Sequence, residues 1–103
     1  MRQRLARLHT LERLLEFLGY RVRTAAARGE LPGPESSVLK LVVSDLYESG
    51  GDLLIELQGP AGALVHDDAP FGGRFQGLFM AQWAPRIGGG TDQVQRTIVG
   101  ERV

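Results

Sequence analysis

Apolar side chains recur at spacings of three and four along most of this chain, which is the period of a helix and not of a strand. Leu5, Leu8, Leu11, Leu15, Leu18, Val22 and Ala26 fall on one stripe, widened by Leu14 and Phe17. The spacing predicts one long helix over residues 2–28, with Gly29 as its C-cap and Pro32 just beyond. At a rise of ~1.5 Å per residue such a helix is about 40 Å long, a length suited to packing along other long helices. Two prolines and two glycines in "GELPGPESS" (29–37) then mark a turn. Pro34 or Glu35 opens a second helix, 35–58, whose apolar positions are Val38, Leu39, Val42, Leu46, Leu53, Leu54 and Leu57. Leu41, Val43, Tyr47 and Ile55 widen that face. Gly50-Gly51 interrupts it; the expectation is one helix, kinked or straight at the pair, with two helices as the alternative.

Residues 59–73, "GPAGALVHDDAPFGG", carry four glycines and two prolines and read as a loop. A short helix is predicted at 74–84, ended by Pro85. A glycine run, Gly88-Gly89-Gly90, leads into a last helix from about residue 92. No alternating strand pattern and no internal repeat is present. The expected fold is therefore all-α: an antiparallel helical bundle of two long and two short helices in a single domain, 1–103.

Composition supports a folded domain, with 43% apolar and 23% charged residues in 103. No apolar run is long enough to span a membrane. The arginine-bearing N-terminus has no apolar core of a secretory signal. With no cysteine there is no disulfide framework and no thiolate metal site, and a cytoplasmic location is the default expectation. Net charge is zero but segregated. Residues 1–28 hold seven Arg and two Glu, residues 29–68 hold eight acids and one Lys, and residues 69–103 hold four Arg and two acids. A basic first segment could attract nucleic acid, but pairing with the adjacent acidic segment is the favoured reading, and no nucleic-acid partner is expected.

Candidate chemistry is sparse. Asp92 and Gln95 have the spacing of a capping box, in which Asp92 accepts from the backbone at 95 and Gln95 reaches back to 92; Thr91 could cap instead. Glycines feeding a helix N-terminus make an anion site possible, since free N–H groups and the positive end of the dipole face one way. A plain flexible loop before a capped helix is the competing reading, because neither a Walker motif nor GxGxxG is present. Ser37-Val38-Leu39-Lys40 matches S-x-x-K, yet the companion S-D-N and K-T-G motifs are absent, so Lys40 reads as a helix-face residue beside acidic neighbours. His9 and His66 have no ligand-spaced partner, and no metal site is expected. Phe75, Phe79 and Trp83, at i, i+4, i+8, read as core or subunit contact rather than as a base-stacking platform.

Taken together these stretches resemble the C-terminal helical domain of the acyl-CoA dehydrogenases. The family's last helix reads roughly "GTSEIQRNIIAERVLGLP"; here the tail from Gly90 reads "GTDQVQRTIVGERV". "LGYRVRTAAARGELPGPESSVLKL" (18–41) resembles the family's turn between two long helices, and "ELQGPAG" (56–62) stands at its Gln-x-x-Gly-Gly loop. The resemblance covers essentially the whole chain. It implies the domain that binds FAD and forms oligomers, in an enzyme whose flavin takes a hydride from the β-carbon of an acyl-CoA thioester while a carboxylate removes the α-proton. It implies that Thr91, Asp92 and Gln93 contact FAD and that Gly90 lies against the thioester. Glu56, Leu57, Gln58, Gly59 and Pro60 would contact the flavin of a neighbouring subunit, in a homo- or hetero-oligomer of acyl-CoA dehydrogenase subunits.

Three departures qualify that picture. Many members carry the catalytic glutamate immediately before the Gly-Thr, where this chain has Gly89, which cannot act as a base. Others carry it on an earlier helix. Glu56 replaces the motif's Gln and Pro60 its second Gly, which puts a carboxylate where a phosphate is expected. The family's N-terminal helical domain, β-domain and first C-terminal helix have no counterpart here, and the tail stops before "LGLP", so the expectation is a partial C-terminal domain. The isolated chain is expected to be inactive. The rival reading is a non-catalytic helical interaction subunit that completes a partner's flavin site.

Overall fold

In a computed structural model, which describes residues 1–31 and 33–102, the described residues form helices and turns without strand. The helices are α1 (Arg2–Ala27), α2 (Pro34–Gln58), α3 (Arg74–Ala81), α4 (Trp83–Ile87) and α5 (Asp92–Arg102). Two short 3-10 segments, Gly59–Ala63 and His66–Asp68, and a turn over Pro70–Gly73 with left-handed Phe71, Gly72 and Gly73 wind the segment between α2 and α3 that was expected as a loop.

Both long helices stop and start for local reasons. Gly29 adopts φ +73°, its N–H donates to the Ala26 carbonyl at 3.0 Å, and the Glu30 N–H donates to the Ala25 carbonyl at 3.1 Å. That pair of bonds is the Schellman stop, which needs a left-handed residue and so favours glycine. Gly29 therefore stops α1 as expected, but from one position past the cap, which is Arg28; Pro32 lies outside the described residues. Gly33 then caps α2 and Pro34 occupies its first turn, where a missing N–H costs nothing.

α1 and α2 run antiparallel. Arg4 near the start of α1 pairs with Glu56 near the end of α2, and Arg21 pairs with Glu35 at 3.3 Å near the other end. The segregated charges therefore meet within the fold, as expected. α2 is the spine: α1, α3, α4 and α5 all pack on it. It runs without a break through Gly50-Gly51, one helix as expected, and the two-helix alternative falls. Packing accounts for one glycine of the pair. A Cβ at Gly50 would touch Leu8 Cδ2 at 3.8 Å, and one at Gly51 would press on Phe79 Cα at 3.2 Å. Gly51 lets α3 come close to α2, whereas at Gly50 there is room for a side chain against α1.

The expected helix 74–84 is in fact two. It ends at Ala81, and α4 begins at Trp83 and contains Pro85 instead of stopping before it. A proline ring clashes with the carbonyl four residues earlier, here Ala81, so the break falls at Gln82 and Pro85 sits in a new first turn where it is tolerated. Trp83 therefore leaves the stripe of Phe75 and Phe79: those two are half-buried, and Trp83 is exposed beneath the Arg86 guanidinium.

Burial is thin. Among the described apolar residues only Leu11, Leu53 and Ala69 are buried, while Leu5, Phe17, Leu57, Phe71, Met80, Trp83 and Ile87 are exposed. The dimensions, 49 × 25 × 23 Å, and a radius of gyration of 16.3 Å exceed the ~13 Å of a compact chain of this size. The long helices leave apolar faces unpartnered, as the stripe on α1 foretold. No helix among the described residues is long and apolar enough to cross a membrane.

Candidate functional site

The glycine turn and the start of α5 form the most organised polar site. Gly88 closes α4 by donating to the Ala84 carbonyl at 2.8 Å. Gly89 and Gly90 then take φ +71° and +93°, values that L side chains adopt only with strain. Gly90 is doubly constrained, because a Cβ there would lie 2.9 Å from the Gln95 amide nitrogen. Gly89 faces open space and carries no functional group.

The capping box does not form. Thr91 is the cap: its hydroxyl accepts from the Val94 N–H at 3.3 Å, and its carbonyl accepts from the Gln95 N–H at 3.0 Å. The Gln95 side chain reaches back past position 92 and donates to the Gly89 carbonyl at 2.8 Å, bracing the turn from inside. Asp92 is released from capping and turned into the protein. One of its oxygens accepts from Lys40 Nζ at 2.8 Å and from Ser44 Oγ at 2.9 Å. Burial opposes ionisation of Asp92, but the bonds from Lys40 and Ser44, with the charges of Lys40 and Arg86, outweigh it and hold the carboxyl below its ordinary value. Asp92 is thus an anion whose charge is met internally.

That arrangement leaves a definite surface. Thr91 and Gln93 are exposed beside Gly89 and Gly90, and the first-turn N–H groups of α5 face the same way with the positive end of its dipole. The nearest carboxylate is turned inward, so the surface suits an anion and offers no exposed base.

The second candidate segment lies elsewhere. Glu56, Leu57 and Gln58 close α2, Gly59 turns with φ +55°, and Pro60 opens the following 3-10 turn. Twelve residues of helix separate Glu56 from Ser44, about 18 Å at 1.5 Å per residue, so the structure does not bring the two segments together. Glu56 is paired with Arg4, which offsets the carboxylate that stands in place of the motif's Gln. Gln58 accepts from Gln76 Nε2 at 3.2 Å and donates to the Leu54 carbonyl at 3.1 Å, while Leu57 and Pro60 are exposed.

Ser44 is the polar residue without a motif in the sequence, whereas Lys40 is the helix-face residue beside an acidic neighbour that was expected. Lys40 does not pair with Ser37 of the S-x-x-K match; its partner is Asp92, an acidic neighbour, and Ser44 donates to the same carboxylate oxygen. The signal was the four-residue spacing, which places Lys40 and Ser44 on one helix face. Its partner across the fold, Asp92, has no local signature. His9 and His66 are exposed, and no cluster of metal-ligating side chains forms among the described residues.

A family model described as "Acyl-CoA dehydrogenase, C-terminal domain" matches residues 1–103. Among solved structures, a chain of the ChsE4-ChsE5 complex from Mycobacterium tuberculosis is similar, with a TM-score of 0.80 and 30% identity. The similarity covers 98% of this chain and 26% of that chain. No curated protein matches.

Proposed function

The chain belongs to the acyl-CoA dehydrogenase family, and on that premise we propose that it supplies part of an FAD site in an oligomeric acyl-CoA dehydrogenase and is inactive by itself. One observation carries the reading: the helix N-terminus behind Gly89-Gly90 is left electropositive and open because Asp92 turns inward to Lys40 and Ser44. Such an end binds a diphosphate through backbone N–H groups and dipole. Thr91 and Gln93 would contact the flavin and Gly90 the acyl-CoA thioester; the Asp92 contribution is its backbone N–H, since its carboxylate is engaged elsewhere. When bound, FAD would accept the hydride lost by the β-carbon of the thioester.

The segment Glu56–Pro60 fits the edge of a second flavin, held mainly by a neighbouring subunit. Its separation from the glycine turn supports this, as does the Arg4 pairing that cancels the Glu56 charge. The first-turn N–H groups of α5 suit the diphosphate of FAD, whereas at Glu56–Pro60 the polar side chains are already paired and exposed Leu57 and Pro60 would supply apolar contact. The base does not come from this turn: Gly89 has no side chain, and Asp92 is buried and ion-paired with a lowered pKa. That observation also favours the second reading, a non-catalytic subunit that completes a flavin site in a partner that carries the carboxylate.

Co-expression with a full-length member of the family tests the proposal. The expected result is co-purification with bound yellow flavin, and no dye-coupled dehydrogenase turnover by the 103-residue chain alone. A stable complex without flavin refutes the cofactor role, and turnover by the purified chain refutes its inactivity.

A further inference from the structure

We infer that Lys40, Ser44 and Glu48 form a polar rail along α2 that sets the position of the glycine turn, so that Lys40 and Ser44 act as positioning residues for the site proposed above. The three residues recur every four positions and so lie on one face of the helix. Each meets the polypeptide on one side of the turn. Glu48 pairs with Arg86 of α4, just before Gly88. Ser44, with no exposed surface, donates to Asp92 and also lies 3.3 Å from the Pro85 carbonyl. Lys40 pairs with Asp92, the first residue of α5. A hydroxyl has a single proton to give, and the shorter approach assigns it to the carboxylate.

The turn is thus tied to α2 at both ends while its middle is glycine. Glycines lose the most conformational freedom on ordering, so a turn of Gly88-Gly89-Gly90 would sample many shapes if its ends were loose. Gln95 braces it from inside at the Gly89 carbonyl, but Gln95 belongs to α5, and α5 is placed by Asp92. The rail therefore fixes the frame within which the brace works. It also keeps the Asp92 charge out of the surface that would face an anion. With Lys40 gone, a buried carboxylate without its cation would be driven toward water, swinging the first turn of α5 outward.

Amide hydrogen exchange over residues 88–95, read at the bonded Gly88, Val94 and Gln95 amides, tests the rail in the chain itself, with no flavin present. Lys40→Met should speed exchange there about tenfold or more, a local opening set against unchanged rates in α1. Arg4→Met removes another ion pair of α2 and should leave residues 88–95 unchanged. Lys40→Arg should restore protection to within about threefold, as should the double variant Lys40→Met/Asp92→Asn, because an uncharged amide is under no drive to leave. Exchange that stays constant in Lys40→Met, or that rises equally over α1 and α5, overturns the rail. So does a double variant as open as the single one. If Lys40→Met does not fold, Ser44→Ala is read at the same peptides, with a threefold or smaller rise counting against the proposal and a larger local one for it. The rail rests on the flavin reading only for what the turn presents. Local opening in a complex that carries no flavin would refute that reading and keep the rail; unchanged exchange in a complex that does carry flavin would do the reverse.

Discussion

Gly50 and Gly51 are neighbours in one unbroken helix, and alanine at each should move stability in opposite directions. In a helix interior, Gly→Ala gains about 1 kcal/mol through propensity alone. At Gly50 nothing opposes the gain: the new Cβ lies 3.8 Å from Leu8 Cδ2, an ordinary contact that also buries a little apolar surface. At Gly51 the new Cβ lies 3.2 Å from Phe79 Cα, which is backbone and cannot rotate away. Relief requires α3 to retreat by a few tenths of an ångström, and Gln82 Cβ and Cδ at 3.8 Å move with it. Overpacking of this kind costs about 1–3 kcal/mol, which cancels or exceeds the propensity gain. Gly50→Ala is expected to stabilise by about 0.5–1 kcal/mol and Gly51→Ala to destabilise by about 1 kcal/mol. For a domain of this size each kcal/mol moves the Tm by about 4–8 °C, so the two variants should melt on opposite sides of the parent. Urea unfolding followed by far-ultraviolet circular dichroism reads the difference at constant m. Equal shifts of the same sign would refute the claim that close approach of α3 is what Gly51 serves.

Two further outcomes follow from the start of α5. Thr91→Ala removes the hydroxyl that caps the Val94 N–H and should cost about 1 kcal/mol in the same unfolding assay, whereas a working capping box at Asp92 would leave it neutral. Asp92 has a folded pKa below its ordinary 3.8, so its stabilising contribution is present above that value and is lost as pH falls through the lower, folded one. Unfolding free energy measured against pH should therefore drop in that acidic window for the parent and drop less for Asp92→Asn, which starts lower at neutral pH; parallel curves would refute the assignment.

Helix existence was legible because it rests on a period that the chain repeats many times. The stripe from Leu5 to Ala26 and the Gly29 stop depend on residues adjacent in sequence, and both were found where the pattern placed them. What a glycine or a proline does is decided by distant atoms. Gly50-Gly51 reads as a costly interruption when α2 is considered alone, and the use of Gly51 becomes visible only once Phe79 lies against it. Pro85 reads as a terminator, yet its ring acts on the Ala81 carbonyl four residues back, so the helix breaks earlier and a new turn carries the proline.

The site divides along the same line. Positive φ at Gly89 and Gly90 and a polar cap at Thr91 are local, and a glycine run ahead of a helix start announces both. The choice between Thr91 and Asp92 as the cap is not local. Either side chain could satisfy the first-turn N–H groups, and Asp92 is the stronger acceptor. It loses the position because Lys40 and Ser44, 52 and 48 residues away, offer its carboxylate a cation and a hydroxyl inside the fold. A charge-assisted bond to a partly buried lysine outweighs a neutral cap bond, and a threonine next door makes the exchange nearly free of loss at the helix end. The same exchange decides the chemistry of the surface. An aspartate capping its own helix would set a negative charge at the mouth of the glycine turn, where it would repel a diphosphate; an aspartate paired inward leaves the dipole and the N–H groups to an anion. Where the Asp92 charge lies relative to this helix end is therefore decided by two residues of α2 and not by the glycine run before it.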